Sequence, residues 1–381
     1  MTFPLDIGQD LRRRLAPGTG VLLGISGGVD SAVALAVLRE LGCDVQCVTF
    51  KNFCYGGDDR FTDRSCCSLD AIEAARRLAA RFGAPHWVAD VETAFRSAVI
   101  EPFVAEYRAG RTPNPCLHCN GTVRFPGLVR LADRQGCAFV ATGHYAHVET
   151  DGGPARLCTG LDAAKDQSYF LHRIGADLWP RVVFPLGRHT KDQVRAAARA
   201  LGLPVADKPD SQEICFVPED DRSFLFQGGP GTGEGPIVDV DGRELGRHRG
   251  LVHYTVGQRR GLGVAAAEPL YVVRLDAATN TLVVGAQAAL ASDVLEADGF
   301  VAALPGLPGQ GPAADGVVVT ARIRHRHAGA RVHAWRREGD RLMMELAEPV
   351  IGAAPGQGLV LYAGDVVLGG GRLVAAGRRE V

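Results

Sequence analysis

No stretch of this 381-residue chain stays apolar for the length a membrane-spanning helix needs, so no membrane association is expected. The opening MTFPLDIGQDLRRRL carries Asp6, Asp10 and three arginines where a secretory signal needs an apolar core. An excess of either charge is also missing. Lys and Arg total 42 against 43 Asp and Glu, a formal net charge of −1, so any nucleic-acid surface must be a local patch and not a global field. There is no internal repeat, coiled coil or long low-complexity tract. The GxxxxGK[ST] pattern of a phosphoryl-transfer P-loop is absent as well. Ten cysteines without a secretion signal point to a reducing compartment, the cytoplasm, where thiols serve metals or catalysis more often than structural disulfides.

What the chain does contain is 46% hydrophobic residues over a length greater than one core usually serves, so two or three folded domains are expected. The apolar run Val21 to Ile25 reads as a short buried parallel strand, and Ser31 to Leu41 as the helix that follows it. Between them lies SGGVDS, Ser26 to Ser31. Gly27 and Gly28 let a backbone approach phosphates, and exposed N–H groups with the Ser26 and Ser31 hydroxyls can bond them at a helix N-terminus. Asp30 suits magnesium or orientation of the loop. Without a loop lysine, nucleotidyl transfer with release of pyrophosphate fits better than phosphoryl transfer.

Strand-like runs at Val45 to Phe50, His86 to Ala89 and Phe139 to Thr142 alternate with helical patterns such as Leu69 to Phe82. That alternation predicts an α/β fold with a doubly wound parallel sheet. After Leu203 the composition changes. Ile237 to Leu245 reads as a hairpin turning at Asp241-Gly242, and Gly231 to Gly235 as a loop that lacks dinucleotide-fingerprint spacing. From about Leu282, short runs such as Gly316 to Ile323 and Gly358 to Tyr362 predict a small antiparallel barrel. The expected division is 1–205, a PP-loop ATP-binding catalytic domain; 206–278, a small central domain; and 279–381, a C-terminal β-barrel.

Two prolines stiffen the backbone ahead of a CxxC pair, Cys116 and Cys119, in GRTPNPCLHCN. Cys215 sits in DSQEICF, which reads as strand-like. A lone CxxC is compatible with a zinc knuckle, a redox pair or coincidence. Beside an adenylating loop it gains a chemical logic, because adenylation turns an inert oxygen into a leaving group that sulfur can replace. Cys43, Cys47, Cys137 and Cys158 lie in apolar or strand-like contexts and read as packing residues. Cys54, Cys66 and Cys67 flank a loop bearing Asp58, Asp59 and Asp63 and match no metal spacing.

The blocks GISGGVDS, FKNF, GRTPNPCLHCN, ATGHYA, KDQSYFL, DSQEICF, GLVHYTVGQRRGLG, GQGLVLY and LGGGRL, in this order, resemble the bacterial tRNA-specific 2-thiouridylases over nearly the whole chain. The resemblance implies an enzyme, a tRNA-uridine 2-sulfurtransferase that uses ATP with Mg to thiolate the wobble uridine of tRNA. It implies ATP contacts at Gly24, Ile25, Ser26, Gly27, Gly28, Val29, Asp30, Ser31, Phe50 and Gly143. It implies tRNA contacts at His144, Lys165, Asp166, Gln167, Arg324, His325 and Gln357, with Asn114, Pro115 and Cys116 at the target base. Cys119 and Cys215 match the catalytic thiols, and a cysteine desulfurase or sulfur relay protein is implied as donor.

Many family members carry aspartate where this chain has Cys116, so an acid/base role for that carboxylate does not transfer. Cys116, Cys119 and Cys215 instead resemble the three-cysteine set that holds a 4Fe-4S cluster in cluster-dependent tRNA thiolases. A persulfide and disulfide cycle on Cys119 and Cys215 is the rival, and zinc with His118 or His144 a third reading. The basic run Arg322 to His327 is read as a strand with Arg322, Arg324 and Arg326 on one face. Gln258 to Arg260 can assist RNA binding. Competing functions are another PP-loop ATP-pyrophosphatase of the amidotransferase type, for which no glutaminase domain is apparent, and a noncatalytic RNA-binding module.

Overall fold

The computed structural model describes residues 3–53, 69–151, 153–210, 214–217, 222–226, 228–307, 309–311 and 318–379. Cys54, Cys66, Cys67 and the loop between them lie outside the described residues, as do Ser211 to Glu213 of DSQEICF. The chain divides into two compact units. The first comprises Met1–Ala98, His118–Asp220 and Asp365–Val367; the second comprises Val99–Leu117, Asp221–Gly364 and Leu368–Val381.

In the first unit the strands are β1 (Gly20–Gly24), β2 (Asp44–Lys51), β3 (His86–Asp90), β4 (Phe139–Thr142), β5 (Ala146–Glu149), β6 (Arg156–Thr159) and β7 (Val182–Val183). Five of them form a parallel sheet in the order β3-β2-β1-β4-β7. Val21, Leu22 and Leu23 are wholly buried at its centre, as expected of a strand covered on both faces. The helix Val29–Glu40 is buried along nearly all its length, which explains why its sequence is apolar all round and not amphipathic. The strand order reverses at β1, so the loops after β1 and β4 lie side by side at the carboxyl edge, where open α/β sheets bind ligands. β5 and β6 pair as an antiparallel hairpin, and Val366 lies opposite Cys158 of β6.

The second unit holds two sheets. β8 (Gly235–Val238), β9 (Glu244–His248), β10 (Tyr271–Asp276) and β11 (Thr281–Gly285) form one in the order β10-β11-β8-β9. The expected hairpin at Asp241-Gly242 joins β8 to β9. The boundary expected at 279 falls between β10 and β11, two hydrogen-bonded strands, and β11 also pairs with β8.

Beyond them come β12 (Ala291–Ala302), β13 (Gln310–Gly311), β14 (Val319–Arg322), β15 (Ala330–Glu338), β16 (Arg341–Ile351), β17 (Gly358–Ala363) and β18 (Val366–Gly377). The ladder β12-β16-β15-β14-β17-β18 closes on itself through the antiparallel β12–β18 pairing, which makes a six-stranded barrel. Leu295, Trp335, Met344, Leu361 and Leu373 fill its interior. The fold class is therefore as expected, an α/β parallel-sheet domain and an antiparallel β-barrel. Two local expectations are corrected. The strand of the basic run ends at Arg322, and Arg324 to Arg326 lie in a turn, so strand alternation does not order them. Ile214 to Val217 is likewise a turn and not a strand, because Phe216 drops into the core against Phe95.

Candidate active site

The loop Ile25 to Gly28 links β1 to the helix Val29–Glu40, and its geometry depends on glycine. Gly27 has φ +70°, and a Cβ there would sit 2.6 Å from the Ala71 carbonyl oxygen. A Cβ on Gly143 would sit 2.8 Å from the Asp30 carbonyl carbon and 2.9 Å from the Ser31 nitrogen. Only glycine lets the loop after β4 press this closely on the first turn of the helix. Ser31 Oγ donates to the Gly28 carbonyl at 3.1 Å and accepts from the Ser26 N–H at 3.3 Å. The two hydroxyls lie 3.5 Å apart at the mouth of the loop. Phe50, one residue before the end of β2, is half-buried.

The loop has no lysine of its own, yet a lysine reaches it. The helix Lys191–Ala200 begins with a capping box in which Thr190 and Gln193 satisfy each other's backbone N–H groups. Lys191 is therefore fixed at the first helical position, 7% exposed, and its Nζ donates to both Asp30 carboxylate oxygens at 2.7 Å. Tyr145 Oη donates to Asp30 Oδ1 at 2.8 Å. Asp30 is thus held by Lys191 and Tyr145 in the first turn of the helix. Lys191 also pairs with Asp210 at 2.9 Å, which receives Lys165 at 2.8 Å and Arg195 at 2.7 Å. Burial opposes ionisation of Asp210, but hydrogen bonds from Lys165 and Lys191 override it and hold the carboxyl down at about 2. Burial, with Asp30 next to it, pushes the Tyr145 phenol up, so it remains a donor.

Among the residues expected to meet tRNA, Lys165 joins this network. Asp166 is buried and accepts from the Gly160 N–H, the Ser168 N–H and the Ser168 hydroxyl. Gln167 Oε1 accepts from the Tyr145 N–H at 2.9 Å. Both side chains hold the segment in shape, while the half-buried Lys165 is paired with Asp210. His144 hydrogen-bonds Thr142 at 2.6 Å and lies 5.9 Å from the Phe125 ring and 6.0 Å from that of Phe184. Desolvation there, with Arg124 near, pushes its imidazole down to about 3, so it is neutral at pH 7 and offers no charge to phosphate.

The two thiols expected to be catalytic have different settings. Cys119 is buried in the π-helical segment Cys119–Arg124, which Asn120 ties to the Phe170 carbonyl at 3.0 Å. Cys215 is half-buried in the turn that Phe216 anchors on Phe95. The short helix Glu92–Phe95 packs on the Cys119–Arg124 segment as well, so one element supports both thiol-bearing segments. Cys43, Cys47, Cys137 and Cys158 are buried, as expected, and burial pushes the Cys47 thiol up to about 12, where it is inert.

In the second unit, Asn114 Oδ1 accepts from the N–H of the exposed Cys116 at 3.2 Å, closing a turn around the buried Pro115. The preceding Thr112 donates its N–H to the Pro355 carbonyl at 2.7 Å, and its carbonyl accepts from Gln357 Nε2 at 2.8 Å. Gln357 therefore braces the segment that leads to Asn114, Pro115 and Cys116. Arg324 is exposed and donates to the Ile351 carbonyl at 3.2 Å, and His325 is half-buried beside it.

Sequence reasoning overlooked Lys191, Arg195 and Tyr145, and gave Asp210 no role. One signal was available for the lysine: Thr190-x-x-Gln193 ahead of a helical pattern marks a helix start and hence the position of Lys191.

Three family models match in succession. They describe a tRNA methyl transferase HUP domain over residues 19–219, a tRNA methyl transferase PRC-barrel domain over 222–286 and an aminomethyltransferase beta-barrel domain over 309–373. The tRNA-specific 2-thiouridylase MnmA of Rhodospirillum rubrum is 46% identical over 374 residues, covering 94% of this chain and 97% of that protein. Its namesake in Roseiflexus castenholzii is 42% identical over 371 residues, covering 93% and 98%. The one in Sorangium cellulosum is 42% identical over 381 residues, covering 96% and 95%. With identities of 42–46% over more than nine-tenths of its length, the chain belongs to the tRNA-specific 2-thiouridylase family.

Proposed function

We propose that this protein converts the wobble uridine of tRNA to 2-thiouridine, consuming ATP and releasing AMP and pyrophosphate. The observation that carries the reading is the buried Lys191 bridging Asp30 of the nucleotide loop and Asp210 of the segment that leads to Cys215. In the first step the uracil 2-oxygen attacks the α-phosphorus of ATP, and the bond to the β-phosphate oxygen breaks. Loop N–H groups and the Lys191 ammonium stabilise the departing pyrophosphate. Magnesium, when bound with ATP, supplies further charge neutralisation.

In the second step a persulfide on Cys215 attacks carbon 2, and AMP leaves. Cys119 then attacks the Cys215 sulfur, forming a disulfide as the outer sulfur stays on the base; a cellular dithiol reduces that disulfide. Cys116, Cys119 and Cys215 also fit a 4Fe-4S cluster by donor chemistry, three thiolates with one iron left open to hydrosulfide. The persulfide comes from a cysteine desulfurase or a sulfur relay protein. Asn114, Pro115 and Cys116 hold the target base, while Lys165, Arg324 and His325 contact tRNA. The catalytic domain runs to about Asp220, where the first unit ends, past the 205 boundary and so including Cys215, and the central domain follows it. The latter ends after Gly285, later than the 279 boundary, because β11 is hydrogen-bonded into the central sheet. The reaction belongs in the cytoplasm, and no helix among the described residues is long and apolar enough to cross a membrane.

The test is incorporation of labelled sulfur into unmodified tRNA with ATP and sulfide, comparing anaerobically cluster-reconstituted protein with the same protein stripped of metal. Product from the reconstituted form alone assigns a cluster. Equal product from both assigns the Cys119 and Cys215 route. Absence of product from both, or pyrophosphate release that depends on ammonia and not on tRNA, overturns the reading.

A further inference from the structure

Away from the nucleotide loop, β5, β6 and the residue just before β18 bring three donor types together. A ring nitrogen of His147, Cys158 Sγ and a carboxylate oxygen of Asp365 all lie within 4.8 Å of one another. Backbone register fixes the set. His147 stands opposite Cys158 in the β5–β6 ladder, and Val366 stands opposite Cys158 on its other side. The Thr159 N–H donates to the Asp365 carbonyl at 2.8 Å, which pins the residue carrying the carboxylate.

One ring nitrogen of the imidazole is held by the backbone. His147 Nδ1 lies 2.9 Å from the Thr159 carbonyl oxygen. A carbonyl only accepts, so Nδ1 carries the proton and Nε2 presents its lone pair. The Asp365 carboxylate has no hydrogen bond or ion pair among the described residues, although Arg372–Asp298 and Arg156–Glu149 pairs occur on the same strands. Cys158 is wholly buried, and its Sγ donates to the Arg156 carbonyl at 3.8 Å.

We propose that His147, Cys158 and Asp365 form a binding site for a zinc-class divalent metal, distinct from the Cys116, Cys119 and Cys215 set. One nitrogen, one sulfur and one oxygen donor with a water in the fourth position make a tetrahedral set suited to zinc or cobalt(II). The metal would tie the β5–β6 hairpin to the residues that open β18. The Cys158 thiol must give its proton to solvent as the metal–sulfur bond forms. Glu149 favours the cation there and Arg188 opposes it.

Cobalt(II) titration of the full chain tests this, in a background with Cys116, Cys119 and Cys215 replaced by serine so that those thiols cannot compete. The expected result is one equivalent bound, with a sulfur-to-cobalt charge-transfer band and tetrahedral d–d bands. His147→Ala and Asp365→Asn, both on accessible side chains, should each weaken binding at least about tenfold. Cys158→Ser risks misfolding, so those two variants decide, with metal-free thermal unfolding as their folding control. No binding, binding without the sulfur band, or binding unaltered in both variants would overturn the proposal.

Discussion

Lys191 neutralises two carboxylates at once, so truncating it leaves Asp30 and Asp210 facing each other without their shared cation. Lys191→Ala is expected to cost about 3 kcal/mol of stability, as for a broken buried ion pair. It should also slow tRNA-dependent pyrophosphate release on the order of a hundredfold, since the cation proposed to stabilise the leaving group is lost. Thermal unfolding and a pyrophosphate assay check the two separately, and unchanged pyrophosphate release would remove Lys191 from the site. Two histidines set a pH dependence. Desolvation lowers His144 and His172 to about 3 from an ordinary value of 6.5. Between those values the unfolded chain binds more protons, so stability is full above about pH 6.5 and declines as pH falls toward 3. His172, wholly buried, should contribute on the order of 1 kcal/mol per pH unit, and the partly solvated His144 less. Urea midpoints across that range measure the slope, which should flatten in His172→Leu.

At the scale of elements, what positions the chemistry is how each one begins. The capping box of Thr190 and Gln193 starts a helix with Lys191 as its first residue, and the Asp162 carboxylate accepts the Lys191 N–H at 2.9 Å. Thr190→Ala should cost about 1 kcal/mol in stability. It should also lower the rate of pyrophosphate release while leaving ATP affinity nearly unchanged, because the loop N–H groups are untouched. A matching loss in both would show that the cap does not aim the lysine. The elements themselves were largely legible: β2, β3, β4 and the helices Val29–Glu40 and Leu69–Arg81 fall within two residues of the runs read from periodicity. Misreadings came where periodicity competes with tertiary contact. The stretch before Phe216 alternates like a strand, yet burying that ring against Phe95 stabilises a turn instead. Arg322 continues β14 and lies over the Tyr362 ring at 4.3 Å, and the chain turns directly after it.

For the whole molecule, the division of the chain does not follow sequence order: Val99–Leu117 clusters with the barrel unit although its flanks belong to the other. Buried Glu106 accepts from Arg111 and Arg372, and Arg372 also grips Asp298, so charges on the barrel hold this segment. Gln357→Ala should therefore act differently from Arg324→Ala. Removing the Gln357 bond to Thr112 should cost about 1 kcal/mol and lower turnover, with the salt dependence of tRNA binding unchanged. Removing Arg324 should weaken tRNA binding and reduce the salt slope by about one, with turnover at saturation preserved. Filter binding across salt concentrations together with single-turnover rates separates them, and identical salt slopes would contradict the phosphate role of Arg324. By itself the sequence determined the strand-loop-helix of the nucleotide site, the pairing of an adenylating loop with thiols, and the sheet-then-barrel order. Each of these is written in contiguous residues, as apolar periodicity, glycine placement or motif spacing. Only the tertiary structure decided that Lys191 serves Asp30, that Asp166 and Gln167 turn inward, and that Gln357 braces the loop before Cys116. Those pairings join residues 161 and 245 positions apart, and in the case of Lys191 and Gln357 burial and backbone geometry choose the partner, which no local pattern encodes.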